Sequence, residues 1–417
     1  MVTPVRGVRV LLLTQYYAPE TGAPQTRLAE TVAGLQARGF HVTVVAPIPS
    51  YPQGRVAAGY RWWRPARETI WGAPVRRLPA LVVPGARMSR RLANHATFAV
   101  TSLSSLALGS RADVALVESP PLFLALPARA LSAAGVPYVF HVADPWPDFP
   151  IAMGYLQAPW QRRLAYGLED FAYRGAAAIT TVSPGLVELL ARKPAARGRV
   201  HLIPNGVDLA RFTDVPDPGQ ARRRLGWDEA FTIVYVGTVG LAQGVGTLLD
   251  AAAFLGEGVR FHVVGEGAEK PALEARARAL HLSSVRFHAA VPAESVPDVL
   301  AAADAVLVLL RRGPLFEESL PTKLLEAMAA SRPVVVSADG LAMRIVAEAR
   351  CGFAACAEDA RDLAAAVERC RAHPDRPSLG MAARAHVAQH FERGRILDGL
   401  ADVIARASRT RRGGMGA

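Results

Sequence analysis

The segment VRVLLLTQYYAPETGAPQTRLAETVAGLQARGFHVTVVA, residues 8–46, decides the fold class. Val8–Thr14 is a nearly continuous apolar run that is typical of a buried strand, and His41–Ala46 is a second one. Between them, residues 26–38 have the spacing of an amphipathic helix that ends at Gly39. This order predicts a βαβ unit, and therefore a parallel sheet, at the start of the chain.

The alternation of strands and helices continues and restarts after the turn Pro204-Asn205-Gly206. A chain of 417 residues exceeds the roughly 250 to 300 residues at which a single core stops growing, so two domains are expected. We predict an α/β protein with two doubly wound, Rossmann-like domains, residues 1–205 and 206–385. The further predicted strands are Val114–Val117, Tyr138–Val142, Ala178–Val182, Thr232–Val236, Val259–Val264, Val285–His288, Ala305–Leu310 and Pro333–Val336.

Positive charge is concentrated in the first half of the chain. Residues 1–205 carry 22 Lys and Arg against 10 Asp and Glu, a net charge of +12, whereas residues 206–417 carry 26 of each. Nine arginines and one acid lie between Arg55 and Arg91, interleaved with tryptophans. Arginine meets lipid phosphates and tryptophan settles at headgroup depth, so this mixture predicts peripheral contact with an anionic membrane, with a solvated basic face as the alternative. The residues assigned to membrane or acceptor contact are Trp62, Trp63, Trp71, Arg90 and Arg91.

Two loops that follow strands in the first half are candidates for ligand contact, because ligands bind outside the carboxyl ends of parallel strands. The loop after the first strand contains Gly22 and opens a helix, where the backbone could approach a diphosphate. Asp144 follows the strand that ends near His141 and precedes a Pro-Trp-Pro frame. Its position suits a general base or an acceptor ligand, with a structural capping role as the alternative.

In the second half, Gly237-Thr238 and Gly265-Glu266-Gly267 each follow a predicted strand. Neither is a complete GxGxxG motif, and the chain contains no P-loop, so dinucleotide or ATP binding has little support. No nucleic-acid-binding motif is present, and nucleic acid is therefore not an expected partner.

The segment EESLPTKLLEAMAASRP, residues 317–333, carries most of the chemistry in the second half. Pro321 predicts the start of a helix with Lys323 in its first turn, next to the carboxylates of Glu317 and Glu318. Helix N-termini favour phosphate. Only three of the 48 basic residues are lysine, so a lysine at this position is a candidate for a specific role. An amphipathic surface helix with solvated charges is the alternative interpretation.

An ordered set of motifs resembles the GT4 family of retaining glycosyltransferases, especially its bacterial members that build surface polysaccharides. The motifs are YYAPETG at residues 16–22, GFHVTVVAPIPSYPQG at residues 39–54, IPNGVD at residues 203–208, and Glu318 separated by seven residues from Glu326. The Tyr-Pro-x-Gly and Pro-Thr-Lys pieces are similar to the WbuB-like subgroup. The similarity extends over nearly the whole chain.

The resemblance implies a GT-B architecture, in which two domains face a cleft with the acceptor in the first and a nucleotide sugar in the second. It implies that Glu326 holds the ribose hydroxyls, that Glu318 bonds the transferred sugar and that backbone near Gly22 approaches the diphosphate. Family members often place an arginine and a lysine where this chain has Thr238 and Gln243. We therefore expect other basic residues to contact the phosphates.

Lys323 and Arg27 are the expected replacements, together with Lys270. We assign donor binding to Glu326, Gly22, Arg27, Gly237, Thr238, Lys270, Gly267 and Thr322. We assign catalysis to Glu318, Lys323, Asp144 and His141, although a histidine after a strand is often structural.

The predicted function is transfer of a sugar, from a donor that we expect to be UDP-linked, to a polyprenyl-diphosphate-linked or glycan acceptor. Two alternatives remain: a nucleotide-sugar 2-epimerase of the same fold, and a non-catalytic relative that binds nucleotides or glycans. We expect no cofactor and no metal, because no acidic cluster has divalent-cation spacing. We expect a cytoplasmic protein, peripheral on the inner face of the membrane, since the chain has no apolar run of about 18 residues and no signal-peptide pattern.

The C-terminal residues 386–417 contain a helical pattern at Phe391, Ile396, Leu400 and Ile404. The resemblance implies that this helix packs back on the first domain, and a simple terminal helix of the second domain is the alternative. The Arg-Gly tail, residues 409–417, is predicted to be disordered.

Overall fold

The computed structural model describes residues 7–20, 22–51, 54–83, 88–109, 111–256 and 258–413. The chain divides into two compact units, residues 1–204 with 394–417, and residues 205–393. The predicted Tyr-Pro-x-Gly motif falls partly on Pro52 and Gln53, which lie outside the described residues.

The first unit contains an eight-stranded sheet in the order β3-β4-β2-β1-β5-β6-β7-β8. The strands are β1 (Arg9–Leu13), β2 (His41–Pro47), β3 (Ala66–Ile70), β4 (Ala73–Leu78), β5 (Val114–Ser119), β6 (Tyr138–Val142), β7 (Ala178–Thr181) and β8 (Val200–Leu202). All neighbours are parallel except β3 and β4, so the predicted doubly wound sheet is confirmed. β1 pairs with both β2 and β5, and ligands of such sheets bind where the strand order reverses in this way.

Helices cover both faces of this sheet, as the buried strands require. They are α1 (Ala23–Ala37), α2 (Met88–Thr101), α3 (Leu106–Gly109), α4 (Ala125–Ala133), α5 (Asp148–Ala152), α6 (Pro159–Gly175) and α7 (Pro184–Ala191). One core lies beneath α1 and contains Leu12, Leu28 and Val32; the other lies beneath α2, α4 and α6 and contains Phe98 and Phe140. Helix α1 begins three residues before the predicted residue 26, because proline near its first turn suits a helix start.

The β3–β4 hairpin was not predicted, since its strands are short and contain several charged residues. Trp71 and Gly72 form its turn with φ of 48° and 77°, the positive values that a tight hairpin requires. The three tryptophans assigned to the membrane are about half exposed, at 51% for Trp62, 55% for Trp63 and 59% for Trp71. Arg90 and Arg91 are exposed on α2.

One arginine of the basic run is buried rather than solvated. Arg77 is 1% exposed and forms an ion pair with Glu68, with Nε 2.6 Å from the carboxylate. Its guanidinium also donates to the carbonyl oxygens of Pro47 and Ala18. Arg77 therefore ties the hairpin to the loops after β1 and β2 and is removed from the proposed membrane surface.

The second unit contains a six-stranded parallel sheet in the order β11-β10-β9-β12-β13-β14. Its strands are β9 (Phe231–Val236), β10 (Val259–Val264), β11 (Val285–His288), β12 (Ala305–Leu309), β13 (Val334–Ser337) and β14 (Gly352–Ala355). Its helices are α8 (Pro218–Leu225), α9 (Gly246–Ala252), α10 (Lys270–Ala279), α11 (Val296–Ala301), α12 (Pro314–Glu317), α13 (Thr322–Ala329), α14 (Leu341–Glu348), α15 (Ala360–Ala372) and α16 (Arg376–His390). The second predicted parallel sheet is confirmed. Its strand order reverses between β9 and β12, which are neighbours in the sheet.

The C-terminal helix α17 (Arg393–Gly413) packs on the first unit, where Leu397, Leu400 and Ile404 join the core beneath α1. The predicted segment 386–417 is therefore divided, since α16 extends to His390 within the second unit. The prediction of a disordered tail is wrong for residues 409–413, which continue α17; residues 414–417 lie outside the described part. Among the described residues, no helix is both long enough and apolar enough to span a membrane.

Candidate functional site

The candidate donor site in the second unit lies at the carboxyl end of β9, beside the point where the strand order reverses. The loop after β9 begins at Gly237, and the N-terminus of α13 brings Lys323 against it. A Cβ built on Gly237 would lie 3.2 Å from Lys323 Nζ, and Gly237 has φ of 135°. A side chain here would crowd the lysine and strain the backbone, so glycine is required where the ammonium approaches.

Lys323 is held by Tyr235, a buried residue of β9 that sequence reasoning missed. Nζ donates to the Tyr235 hydroxyl at 2.6 Å and lies 4.0 Å from the centre of its ring. The hydroxyl in turn donates to the carbonyl oxygen of Thr238 at 2.6 Å. Burial lowers the pKa of Lys323 to about 7, although the charge of Glu326 opposes this. The buried Tyr235 hydroxyl therefore holds a lysine whose charge can change near neutral pH.

The glycines after β9 and β10 let two loops pack backbone to backbone. The amide of Gly237 donates to Val264 O at 3.0 Å, and the amide of Val239 donates to Glu266 O at 2.9 Å. A Cβ on Gly267 would lie 2.0 Å from Val239 O, so no other residue fits. Packing between the loops explains Gly267, which sequence analysis assigned to the donor.

Glu326 lies one turn after Lys323 on α13, and its carboxylate is 3.5 Å from Nη1 of Arg211. Arg211 comes from a short 3-10 turn after the Pro-Asn-Gly segment and also donates to Ala293 O. The side chain of Asn205 donates to Leu320 O at 3.0 Å, just before α13. The Pro-Asn-Gly turn therefore braces the start of α13, and the 3-10 turn that follows it supplies a cation beside Glu326; the sequence indicated neither contact.

Glu318 follows the short helix α12, and its carboxylate lies 3.7 Å from Nη2 of Arg344 on α14. Its side chain is about a quarter exposed, as is that of Glu326. A Cβ on Gly340, at the start of α14, would lie 2.2 Å from Glu317 O. The segment that carries Glu317 and Glu318 therefore packs closely on the N-terminus of α14.

Lys270 does not fit the phosphate contact that we expected. Its ammonium donates to Gly265 O, His288 O and the carboxylate of Glu266 at 2.7 to 2.9 Å, and the residue is buried. These three bonds use all three of its N–H donors. The two remaining predicted donor residues, Thr238 and Thr322, lie respectively in the loop after β9 and at the first position of α13.

The first unit has its own cluster of polar residues at the carboxyl ends of β5, β6 and β7. Arg27 on α1 pairs with Glu118 at the end of β5, with 2.6 Å between Nη2 and Oε2. Burial raises the pKa of Glu118, but the attraction of Arg27 and His141 outweighs this and the net shift is downward. The sequence did not indicate Glu118. It therefore did not indicate that the charge of Arg27, which we expected to contact phosphate, is already paired.

His141 at the end of β6 lies in the same cluster. Its Nδ1 is 2.9 Å from the Thr180 hydroxyl on β7, and its Nε2 is buried with no hydrogen-bond partner among the described residues. Burial lowers the pKa of His141 to about 4, against the opposing charge of Glu118. The imidazole is therefore neutral at physiological pH and keeps one nitrogen for a ligand.

Asp144 follows two residues after the end of β6. The surrounding protein desolvates its carboxylate and raises its pKa, while Arg27 opposes the shift. The side chain is nevertheless exposed, so contact with solvent moderates this rise. Arg27, Glu118, His141 and Asp144 thus form one electrostatic group.

Gly22 precedes α1 with φ of 153° and is exposed. Its carbonyl oxygen accepts a hydrogen bond from the amide of Thr26, and no side chain of the described residues caps this end of α1. The geometry leaves the backbone at Gly22 accessible, as the predicted approach to a diphosphate requires.

A second polar cluster in the first unit also escaped the sequence analysis. The Tyr16 hydroxyl lies 3.1 Å from His95 Nε2, and Gln15 Nε2 donates to Asn94 at 2.8 Å. His95 is buried, which lowers its pKa to about 4. Only Tyr16 was indicated, as part of a motif, because the partners on α2 are 79 residues away.

The described residues contain no group of three or more His, Cys, Asp or Glu side chains that could hold a metal ion. Independence from metal remains a prediction that requires a measurement.

Two family matches cover most of the chain. Residues 22–206 match the Glycosyl transferase 4-like domain, and residues 219–384 match the Glycosyl transferases group 1 domain. The division between the matches coincides with the start of the second unit, within about a dozen residues.

Similar proteins agree with these matches. The putative colanic acid biosynthesis glycosyl transferase WcaI of Escherichia coli (strain K12) is 28% identical over 84% of this chain and 88% of its own length. A GDP-mannose-dependent α-(1-6)-phosphatidylinositol monomannoside mannosyltransferase of Mycobacterium tuberculosis is 27% identical over 95% of this chain and 98% of its own length.

The fold has solved counterparts. HepE of Anabaena, in complex with UDP-glucose, superimposes with a TM-score of 0.74 over 96% of this chain and 100% of that one, at 19% identity. This similarity shows the GT-B fold. The two family matches, their order and the fold together show that the chain belongs to the GT4 family and is a glycosyltransferase that uses a nucleotide sugar.

Proposed function

We propose that the protein is a retaining glycosyltransferase that moves a sugar from a UDP-linked donor to a lipid-linked or glycan acceptor in bacterial surface polysaccharide synthesis. The observation that carries the proposal is the Tyr235-bound Lys323 at the start of α13, beside Gly237. The likeness to WcaI supports the polysaccharide pathway.

In the proposed donor complex, Lys323 and the N-terminus of α13 bind the diphosphate. A helix N-terminus and an ammonium both stabilise the negative charge that grows on a departing nucleoside diphosphate. Glu326 accepts hydrogen bonds from the ribose hydroxyls. The guanidinium of Arg211 lies beside it and partly neutralises the charge of its carboxylate. Glu318 accepts from a hydroxyl of the transferred sugar.

The proposed transfer breaks the bond between the anomeric carbon and the diphosphate oxygen and forms one to the acceptor oxygen. Attack occurs on the face from which the diphosphate departs, so configuration is retained. The acceptor proton passes to the departing phosphate oxygen, and no electrons are exchanged with a cofactor. Asp144 orients the acceptor hydroxyl, and the free nitrogen of His141 bonds a substrate hydroxyl.

The proposed acceptor is polyprenyl-diphosphate-linked or a glycan, reached by peripheral contact with the inner face of the cytoplasmic membrane. The exposed Trp62, Trp63 and Trp71 and the arginines of α2 support this contact. Anionic lipid would attract the first half of the chain through its net charge of +12, from 22 basic and 10 acidic residues.

Product analysis tests the proposal. The protein is incubated with UDP-, GDP-, dTDP- and ADP-sugars, with and without a bacterial lipid extract, and products are separated by mass spectrometry. We expect UDP release and a glycosylated lipid that require both substrates. Release of free or epimerised sugar from the donor alone would favour the 2-epimerase alternative, and binding without any product would favour a non-catalytic relative.

A further inference from the structure

Helix α6 of the first unit carries apolar side chains on its solvent face. Trp160 is 67% exposed, Leu164 is 68% exposed and Phe171 is 40% exposed. Large apolar residues at single surface positions are common, but three on one helix form a patch that requires an explanation.

The three residues form one stripe along the helix. With Gly167 they occupy positions i, i+4, i+7 and i+11, within an arc of about 60° at 100° per residue. A Cβ built on Gly167 would meet no described atom within 4 Å, so the stripe faces open space at this position. The opposite face of α6 contributes Ala172 and Tyr173 to the core, so the outer stripe plays no part in the packing of the sheet.

Arginines flank this stripe. Arg163 is exposed next to it, and Arg174 lies on the same side in an ion pair with Asp170. On the neighbouring helix α4, the Arg129 guanidinium lies 4.9 Å from the centre of the Phe171 ring. Leu126, about one turn before Arg129 on α4, is a further large apolar residue that is 43% exposed.

We propose that the α6 stripe, defined as Trp160, Leu164 and Phe171, is a docking surface for an anionic lipid bilayer. Tryptophan and leucine gain by entering the headgroup region, and flanking arginines gain by meeting lipid phosphates. A second copy of the chain fits less well. In an antiparallel two-fold pair, the edge of one stripe that carries Arg163 and Arg174 would face the same edge of the other stripe.

This surface is separate from the Trp62–Trp63–Trp71 hairpin that supports the proposed function. It lies on the helical layer over the other core of the first unit, and its residues take no part in the proposed chemistry. Membrane binding can therefore be tested in the absence of donor and acceptor. Failure of the docking surface and failure of the proposed transferase are distinguishable results.

Sedimentation with vesicles tests the proposal. Full-length protein is mixed with vesicles of phosphatidylcholine alone, or of phosphatidylcholine with phosphatidylglycerol, and the bound fraction is measured. The variants are a Trp160→Ser/Leu164→Ser double substitution and Arg163→Glu. The control is Phe254→Ser/Met381→Ser, which removes two apolar side chains of similar exposure, 56% and 66%, from the second unit.

We expect the double substitution on α6 to weaken binding to anionic vesicles about tenfold or more, since two large apolar side chains that would enter the headgroup region are lost. Arg163→Glu should weaken binding to anionic vesicles and leave binding to neutral vesicles unchanged. The control should bind like the wild type, and all variants should keep the wild-type melting temperature.

Equal binding by the wild type and the α6 double variant would overturn the proposal. A concentration-dependent dimer in analytical ultracentrifugation that the double variant abolishes would also overturn it, by assigning the stripe to a second copy. Loss of binding in a Trp62→Ser/Trp63→Ser variant alone would assign membrane contact to the hairpin instead.

Discussion

Donor affinity should depend on pH through Lys323. Its pKa of about 7 in the free protein means that the side chain is mostly charged at pH 6 and mostly neutral at pH 8. Bound diphosphate stabilises the charged form, so binding above pH 7 must include uptake of a proton. The affinity is therefore highest at low pH and falls as the pH rises through the pKa of the free lysine.

The magnitude follows from proton linkage. With a free-state pKa of 7, the apparent Kd of a diphosphate ester should increase about tenfold between pH 6 and pH 8. At pH 8 about 0.9 proton should be taken up for each donor bound. The ligand for this measurement is a UDP-sugar rather than UDP, because a UDP-sugar has no phosphate group that titrates between pH 6 and pH 8.

Calorimetric titration in buffers of different ionisation enthalpy measures both quantities. Lys323→Arg is the matched control, since arginine keeps its charge at every pH used and should bind with little pH dependence. Lys323→Met should bind weakly at all pH values. The reasoning would be refuted by a wild-type affinity that is constant from pH 6 to pH 8, or by an unchanged pH dependence in Lys323→Arg.

Three further changes test the assigned roles. Tyr235→Phe removes the hydroxyl that holds Lys323 and should weaken donor affinity by about threefold to tenfold, measured by the same titration, and an unchanged affinity would remove Tyr235 from the site. Glu326→Gln should weaken donor affinity by roughly tenfold to a hundredfold through loss of a charged ribose acceptor, whereas equal affinity for ribose and deoxyribose donors in the wild type would contradict that role. Asp144→Asn should lower kcat by about a hundredfold with little change in donor Kd, and an unchanged kcat would exclude it. Excess chelator should leave turnover unchanged, and loss of activity restored by a divalent cation would show a metal requirement.

Much of the fold could be predicted from continuous apolar runs. Strands such as β1, β6 and β10 are buried on both faces, so their hydrophobic runs identify them without knowledge of partners. The β3–β4 hairpin escaped because three of the five residues of β3 and two of the six residues of β4 are polar or charged, and β14 escaped because its sequence is Gly-Phe-Ala-Ala. The tail escaped because its arginines continue a helix whose apolar face packs on the first unit.

The candidate site could be predicted where residues lie at the end of a strand or within two residues after it, as with His141, Gly237 and Asp144. Partners that come from distant segments gave no local signal. Glu118 is separated by 91 residues from Arg27, and Tyr235 by 88 from Lys323. The usable signal for the first pair was the presence of opposite charges after β1 and β5, strands that become neighbours only when the sheet order is known.

The structure also separates lysines that the sequence treated alike. Lys270 and Lys323 both lie in the first turn of a helix, but the first is saturated by two carbonyl oxygens and a carboxylate. The second is held by one hydroxyl, which leaves two N–H donors on its ammonium beyond that bond. The distinction depends on backbone positions that only the folded loops define.

A thermal-unfolding panel of nucleotide sugars on the wild type and Lys323→Met tests the central claim most directly. A ligand at about 100 times its Kd stabilises the folded protein by about 2.7 kcal/mol, which raises the melting temperature by several degrees. The account predicts such a rise for wild type with UDP-sugars, smaller rises with other bases, and almost none for Lys323→Met. Equal stabilisation of both proteins, or none of the wild type by any nucleotide sugar, would contradict it.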